Sequence, residues 1–121
     1  MFDRKLPECR KCPYFNHQFV PNEGNLLADV VFLADSPWKS EGKAKRPLVG
    51  PAGQIYDMLL EEVGIDRREV YTANSVCCVP DALGAAYPEG VVELCTELFL
   101  KPTLEKINPK LVVPMGNSAL K

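Results

Sequence analysis

Five cysteines are spread unevenly over the 121 residues: Cys9 and Cys12 in PECRKCP, the adjacent Cys77 and Cys78 in NSVCCVP, and Cys95 in VELCTEL. A CxxC pair chelates a metal from one turn, because two intervening residues bring both sulfurs to one side. Two further cysteines from separate elements would complete four thiolates around zinc or an iron–sulfur cluster. Pro7, Glu8, Arg10 and Lys11 are not a core context, which weighs against a space-filling role for the pair. Cys77, Cys78 and Cys95 taken alone also read as small apolar core residues. Spacing does not separate zinc from a cluster, although two scattered partners fit a cluster somewhat better than a compact zinc ribbon. The odd cysteine count and the absence of an apolar leader in MFDRKLPECRKC disfavour a disulfide framework and favour metal ligation in a cytoplasmic chain.

A second candidate is KRPLVGPAGQ, residues 45–54, where a basic pair and an apolar patch run through two glycines into a helix start. Asp35 and Asn74 each end an apolar run. By themselves they read as a turn cap and a strand-terminating turn residue. The formal net charge of −2 argues against non-specific binding of polyanions. Local basic patches remain open: Lys39, Lys43, Lys45 and Arg46 suit phosphate contacts or a solvated loop equally.

These residues need elements to place them. Residues 1–28, rich in Pro, Asn and charge, read as an irregular arm. ADVVFLAD, residues 28–35, is a nearly continuous apolar run with β-branched residues, the pattern of a strand covered on both faces. A long loop follows over 36–51. A helix is predicted from Ala52, with Ala52, Ile55, Leu59 and Val63 on one stripe and Gly64 as its stop. VYTANSV, residues 70–76, predicts a second strand, and a loop over 77–88 comes next. The helical segment from Glu89 to Ile107 should break or kink at Pro102. KLVVPMG, residues 110–116, predicts the third strand, and NSALK an opening helical turn. This is βαβαβ: an α/β fold with a parallel sheet, in which the loops leaving the carboxyl ends, at Asp35, Asn74 and Gly116, meet on one functional edge. The expected organisation is a single domain over 1–121. Its three strands are too poorly covered to stand alone, so a completing segment or partner chain is expected.

Several motifs, taken in order, resemble the iron–sulfur uracil-DNA glycosylases of family 4 and their family 5 relatives. They are CRKC at 9–12, EGN at 23–25, ADSPWKSE at 34–41, RPLVGPAGQ at 46–54, YTANSVCCVP at 71–80, ELC at 93–95 and NPKLVVPMGNSA at 108–119. The resemblance implies a three-layer α/β/α fold and a DNA-repair hydrolase acting on DNA that contains uracil. It also implies a structural [4Fe–4S] cluster on Cys9, Cys12, Cys78 and Cys95, with 1–28 as a cluster-binding arm. Cys77, or a swap with Cys78, is left as the odd thiol, and zinc as the lesser alternative. Asn74 would read the base, Asp35 would position the attacking water, and Ser36 and Pro37 would shape the same turn. Leu48, Gly50 and Gly53 would wall the pocket, the glycines letting backbone approach the nucleotide.

Departures from the family pattern point to a second reading, a weak or inactive iron–sulfur module that binds nucleic acid. Leu48 replaces an aromatic that stacks on uracil, where stacking is worth roughly 1–3 kcal/mol. Ala34 and Trp38 replace glycines. The motif carrying the histidine that stabilises the departing uracil lies beyond residue 121, which suggests truncation. His17, in the arm, is expected at the surface rather than in catalysis.

Overall fold

The computed structural model describes residues 4–82 and 86–115. In a four-stranded sheet of order β1-β3-β2-β4, where β1 is Glu23–Gly24, β3 Tyr71–Asn74 and β4 Leu111–Pro114, Val30–Ala34 forms the inner strand β2. Strands β3 and β4 flank it, both parallel, with Val31 opposite Tyr71 and Val112 and Ala34 opposite Asn74. Gly116 and the NSALK segment, where a strand end and a helical turn were expected, lie outside the described residues.

Helices cover both faces, as the three-layer reading requires. On one face Ala28, Val31, Leu33, Tyr71 and Ala73 pack against Leu100, Leu104 and Ile107. Each such aliphatic side chain contributes about 1.5–3 kcal/mol when fully buried. On the other face Tyr56, from the helix α2 (Pro51–Glu62), meets the Phe32 ring edge-on at 5.2 Å and hydrogen-bonds Thr72 at 2.8 Å.

That contact overturns the predicted stripe. Ala52, Ile55, Leu59 and Val63 face outward, and the buried positions of α2 are Gly53, Tyr56 and Leu60. Both sets have helical spacing. The more apolar one lost because the seat on the sheet needs a ring for Phe32, a hydroxyl for Thr72 and no side chain at Gly53. The stop at Gly64 holds: with φ of 75° it donates to Glu61, while Ile65 donates to Leu60, the paired bonds of a Schellman turn.

Two further expectations are corrected. The arm is not wholly irregular, since Glu23–Gly24 forms β1, antiparallel to β3 with Glu23 opposite Thr72; two residues are too few to show a period. The loop over 36–51 contains a six-residue helix, α1 (Lys39–Ala44). The break near Pro102 is present. Val91–Cys95 (α3) passes through a π-helical turn, Thr96–Leu100, into α4 (Lys101–Ile107), where Pro102 sits in the first turn. Proline has no N–H to give and its ring crowds the carbonyl four residues back, so the wider turn precedes it.

Candidate active site and cysteine cavity

The arm reaches the functional edge by zipping onto the loop after β3. Val20 donates to the Cys77 carbonyl at 2.7 Å, Val79 donates to the Gln18 carbonyl at 2.9 Å, and Phe19 bridges Cys78. A 3₁₀ turn over Pro7–Lys11 sets Cys9 and Cys12 one turn apart, with Cys12 N–H donating to the Cys9 carbonyl. All five cysteines thereby line one apolar cavity with Lys5, Tyr14, Phe19, Leu98 and Phe99. The predicted ligands Cys9, Cys12, Cys78 and Cys95 are brought together, and so is Cys77. Among the described residues no three Cys, His, Asp or Glu side chains close on one point as a single bound ion requires. An all-thiolate donor set spread around an apolar cavity suits a polynuclear cluster better than a lone zinc ion.

Burial pushes the Cys9, Cys12 and Cys78 thiols up, Cys78 to about 12. The hydrogen bond between Cys77 and Cys95 pushes Cys77 well up and holds Cys95 down to about 7. Lys5 opposes the rise at Cys9, Cys12 and Cys78, and its ammonium is anchored on the carbonyls of Phe15 and His17. Metal ligation needs thiolates, so loading this cavity releases protons. His17 is half-buried and structural: Nδ1 lies 2.7 Å from the Val79 carbonyl, its ring stacks on Tyr14 at 4.2 Å, and Nε2 is 3.4 Å from Asp81.

Asp35 and Asn74 emerge side by side. Asn74 pairs in register with Ala34, Asp35 follows directly, and the strands stay coupled past their ends, with Ser75 donating to Ala34 and Val76 to Asp35. Asn74 is 2% exposed, and neither its Oδ1 nor its Nδ2 has a hydrogen-bond partner among the described residues. Its backbone N–H donates to the Asn22 side chain at 2.9 Å, a positioning contact that no sequence signal marked. Ser36 accepts from Tyr87 at 2.9 Å, which ties the loop after β3 across to the turn after β2, and Pro37 is fully buried beneath that turn.

The loop over 45–54 is held from two sides by residues that sequence reasoning did not single out. From α1, the buried Glu41 accepts from Trp38 at 2.8 Å, Val49 at 3.0 Å and Gly50 at 2.6 Å. Burial pushes this carboxyl up, but the three backbone donors outweigh it and hold it below its ordinary range. From the turn before β3, Arg67 donates to the Pro47 carbonyl, to the Leu48 carbonyl at 2.7 Å and to Asp57 at 3.0 Å, and it lies over the Tyr56 ring at 5.1 Å. Leu48 is thereby held at φ 46°, in the left-handed region. The glycines serve this fold of the loop itself. A Cβ on Gly53 would collide with the Leu48 carbonyl, and one on Gly50 would come within 3.0 Å of Glu41. Arg46 forms a two-bond pair with Glu23, both at 2.7 Å, so its charge is already engaged.

The family model for the uracil DNA glycosylase superfamily matches residues 21–121. The Type-4 uracil-DNA glycosylase of Thermotoga maritima is 36% identical over 118 residues, covering 96% of this chain and 60% of that protein. Its counterpart in Archaeoglobus fulgidus is 34% identical over 118 residues, 96% of this chain and 58% of that one. That of Saccharolobus solfataricus is 31% identical over 115 residues, 93% and 52% respectively. The chain thus spans between about half and three fifths of the length of these relatives.

Proposed function

The chain belongs to the uracil DNA glycosylase superfamily, and on that premise we propose that it captures a uracil flipped out of DNA and takes part in hydrolysing its N-glycosidic bond. One observation carries the reading: the buried, unpartnered carboxamide of Asn74 stands beside Asp35 at the carboxyl edge of the sheet. A buried polar group without a partner is costly and calls for an explanation, and a functional role is one of the recognised ones. A carboxamide offers one acceptor and one donor, which match the N3–H and O4 of uracil. With the amide held in that orientation, cytosine presents the opposite pattern at those atoms and leaves both unmatched.

Asp35 is the catalytic group in this reading. Its carboxylate orients a water toward the anomeric carbon and stabilises the positive charge that grows on the deoxyribose. Ser36 and Pro37 shape the turn that carries it. Leu48 supplies an apolar wall, fixed by Glu41 and Arg67 before any base arrives. The base must leave the helix stack for these contacts to form. Cys9, Cys12, Cys78 and Cys95 would hold a [4Fe–4S] cluster, which supplies a rigid clamp between the arm and the loop after β3.

The test is uracil release from a single-stranded oligonucleotide bearing one uracil, with thymine and cytosine versions as controls. Release confined to the uracil strand is expected, and abolished by Asp35→Asn. Tight, uracil-selective binding without release would favour the binding-module reading. Neither release nor selectivity would overturn both.

A further inference from the structure

The cavity holds one sulfur more than it needs. Four thiolates complete a [4Fe–4S] cluster, whereas five cysteines line this cavity. The surplus lies in the adjacent pair Cys77 and Cys78. In an extended strand neighbouring side chains point to opposite faces, and one of the two would face away. Here β3 ends at Asn74, the chain bends at Ser75 and Val76, and both cysteines then line the same cavity from different packing clusters. Cys77, 1% exposed, packs with Cys9 and Phe99. Cys78 packs with Tyr14 and Cys12.

Each of the pair therefore adjoins part of the remaining ligand set, and the arm pins the backbone of both. Val20 bonds the Cys77 carbonyl and Phe19 bridges Cys78. Exchange of one sulfur for the other calls for side-chain rotation and no change of pairing. In doing so the Cys77 thiol gives up its weak contact with the Asn74 carbonyl, 3.9 Å, and its hydrogen bond with Cys95.

We propose that the fourth thiolate of this site is interchangeable: Cys78 and Cys77 can each complete a cluster held by Cys9, Cys12 and Cys95. The inference rests on the cluster reading above. Its consequence is a site that tolerates loss or oxidation of either member of the pair, and in which ligand exchange moves the Cys77 sulfur, 3.9 Å from the Asn74 carbonyl.

The experiment compares iron content and visible absorption of the anaerobically purified chain with those of Cys77→Ala, Cys78→Ala and the double variant. Alanine is chosen because a serine oxygen can itself bind iron. Both single variants are expected to stay brown with about four irons per chain, and the double variant to be colourless. The proposal is overturned if Cys78→Ala is iron-free or insoluble while Cys77→Ala is loaded, if the reverse holds, or if the double variant keeps its iron. A wild-type chain without iron removes the cluster reading itself, a result distinct from any of these.

Discussion

Asn74 brings two polar atoms into the interior that no neighbour among the described residues satisfies. An isosteric apolar replacement should therefore relieve a cost of about 1–3 kcal/mol. Asn74→Leu is expected to melt at or above the wild-type temperature while losing selectivity for uracil. A clear fall in melting temperature would show that the amide has a structural partner. Glu41 behaves oppositely, because three amides depend on it. Its folded carboxyl is held below the ordinary range, so its stabilisation is complete above the unfolded-state value and is lost as pH falls through the folded one. Wild-type stability should accordingly decline in mild acid, below about pH 4.5. Glu41→Gln should flatten that decline, and Glu41→Ala should cost about 3 kcal/mol at neutral pH. A pH profile of Glu41→Gln that coincides with the wild type would contradict the assignment.

The pocket loop is a clamped element rather than a flexible one. A Cβ on Gly53 would collide with the Leu48 carbonyl oxygen, so Gly53→Ala should force α2 and Leu48 apart and destabilise the chain by about 3 kcal/mol, in the range of overpacked sites. A thermal unfolding midpoint within a degree of wild type would exclude that close approach. Arg67→Lys should loosen the same loop, because one ammonium cannot reproduce the guanidinium fork that spans two carbonyls and the Tyr56 ring. The sheet could be read in advance because Val30–Ala34, Tyr71–Asn74 and Leu111–Pro114 are apolar runs of strand length between turn residues. The buried face of α2 could not, since periodicity favours Ile55 and Leu59 over a glycine and a tyrosine. Nor could Glu41 and Arg67, whose partners are backbone amides and carbonyls that leave no side-chain pattern to find.

At the scale of the molecule, two groups of residues far apart in sequence share one edge of the sheet. The arm and the loop after β3 gather the cysteines, and the ends of β2 and β3 gather Asp35 and Asn74. The cysteine set was visible in CRKC, CC and ELC, but the full inclusion of Cys77 was not, since only the bend after Asn74 turns both neighbours inward. Among the described residues no helix is long and apolar enough to cross a membrane. β4 is an outer strand of the sheet, with Leu111 and Val112 exposed, as is Met115 just past its end. If cluster binding orders the arm, chelation of iron should free residues 5–20 first. Hydrogen exchange at Val20 and Val79 should then rise before that of β2. Simultaneous loss of protection in both would mean that the arm is not a separate clamp.

The pairing of Asn74 with its base is the claim on which the functional account turns. Asn74→Asp exchanges the donor of that side chain for an acceptor and, when protonated, for a hydroxyl. Base selectivity of this variant on single-stranded oligonucleotides bearing uracil or cytosine measures the claim directly. The account predicts that uracil is lost and that any remaining preference turns to cytosine; an Asn74→Asp chain that holds uracil as tightly and selectively as the wild type would contradict it.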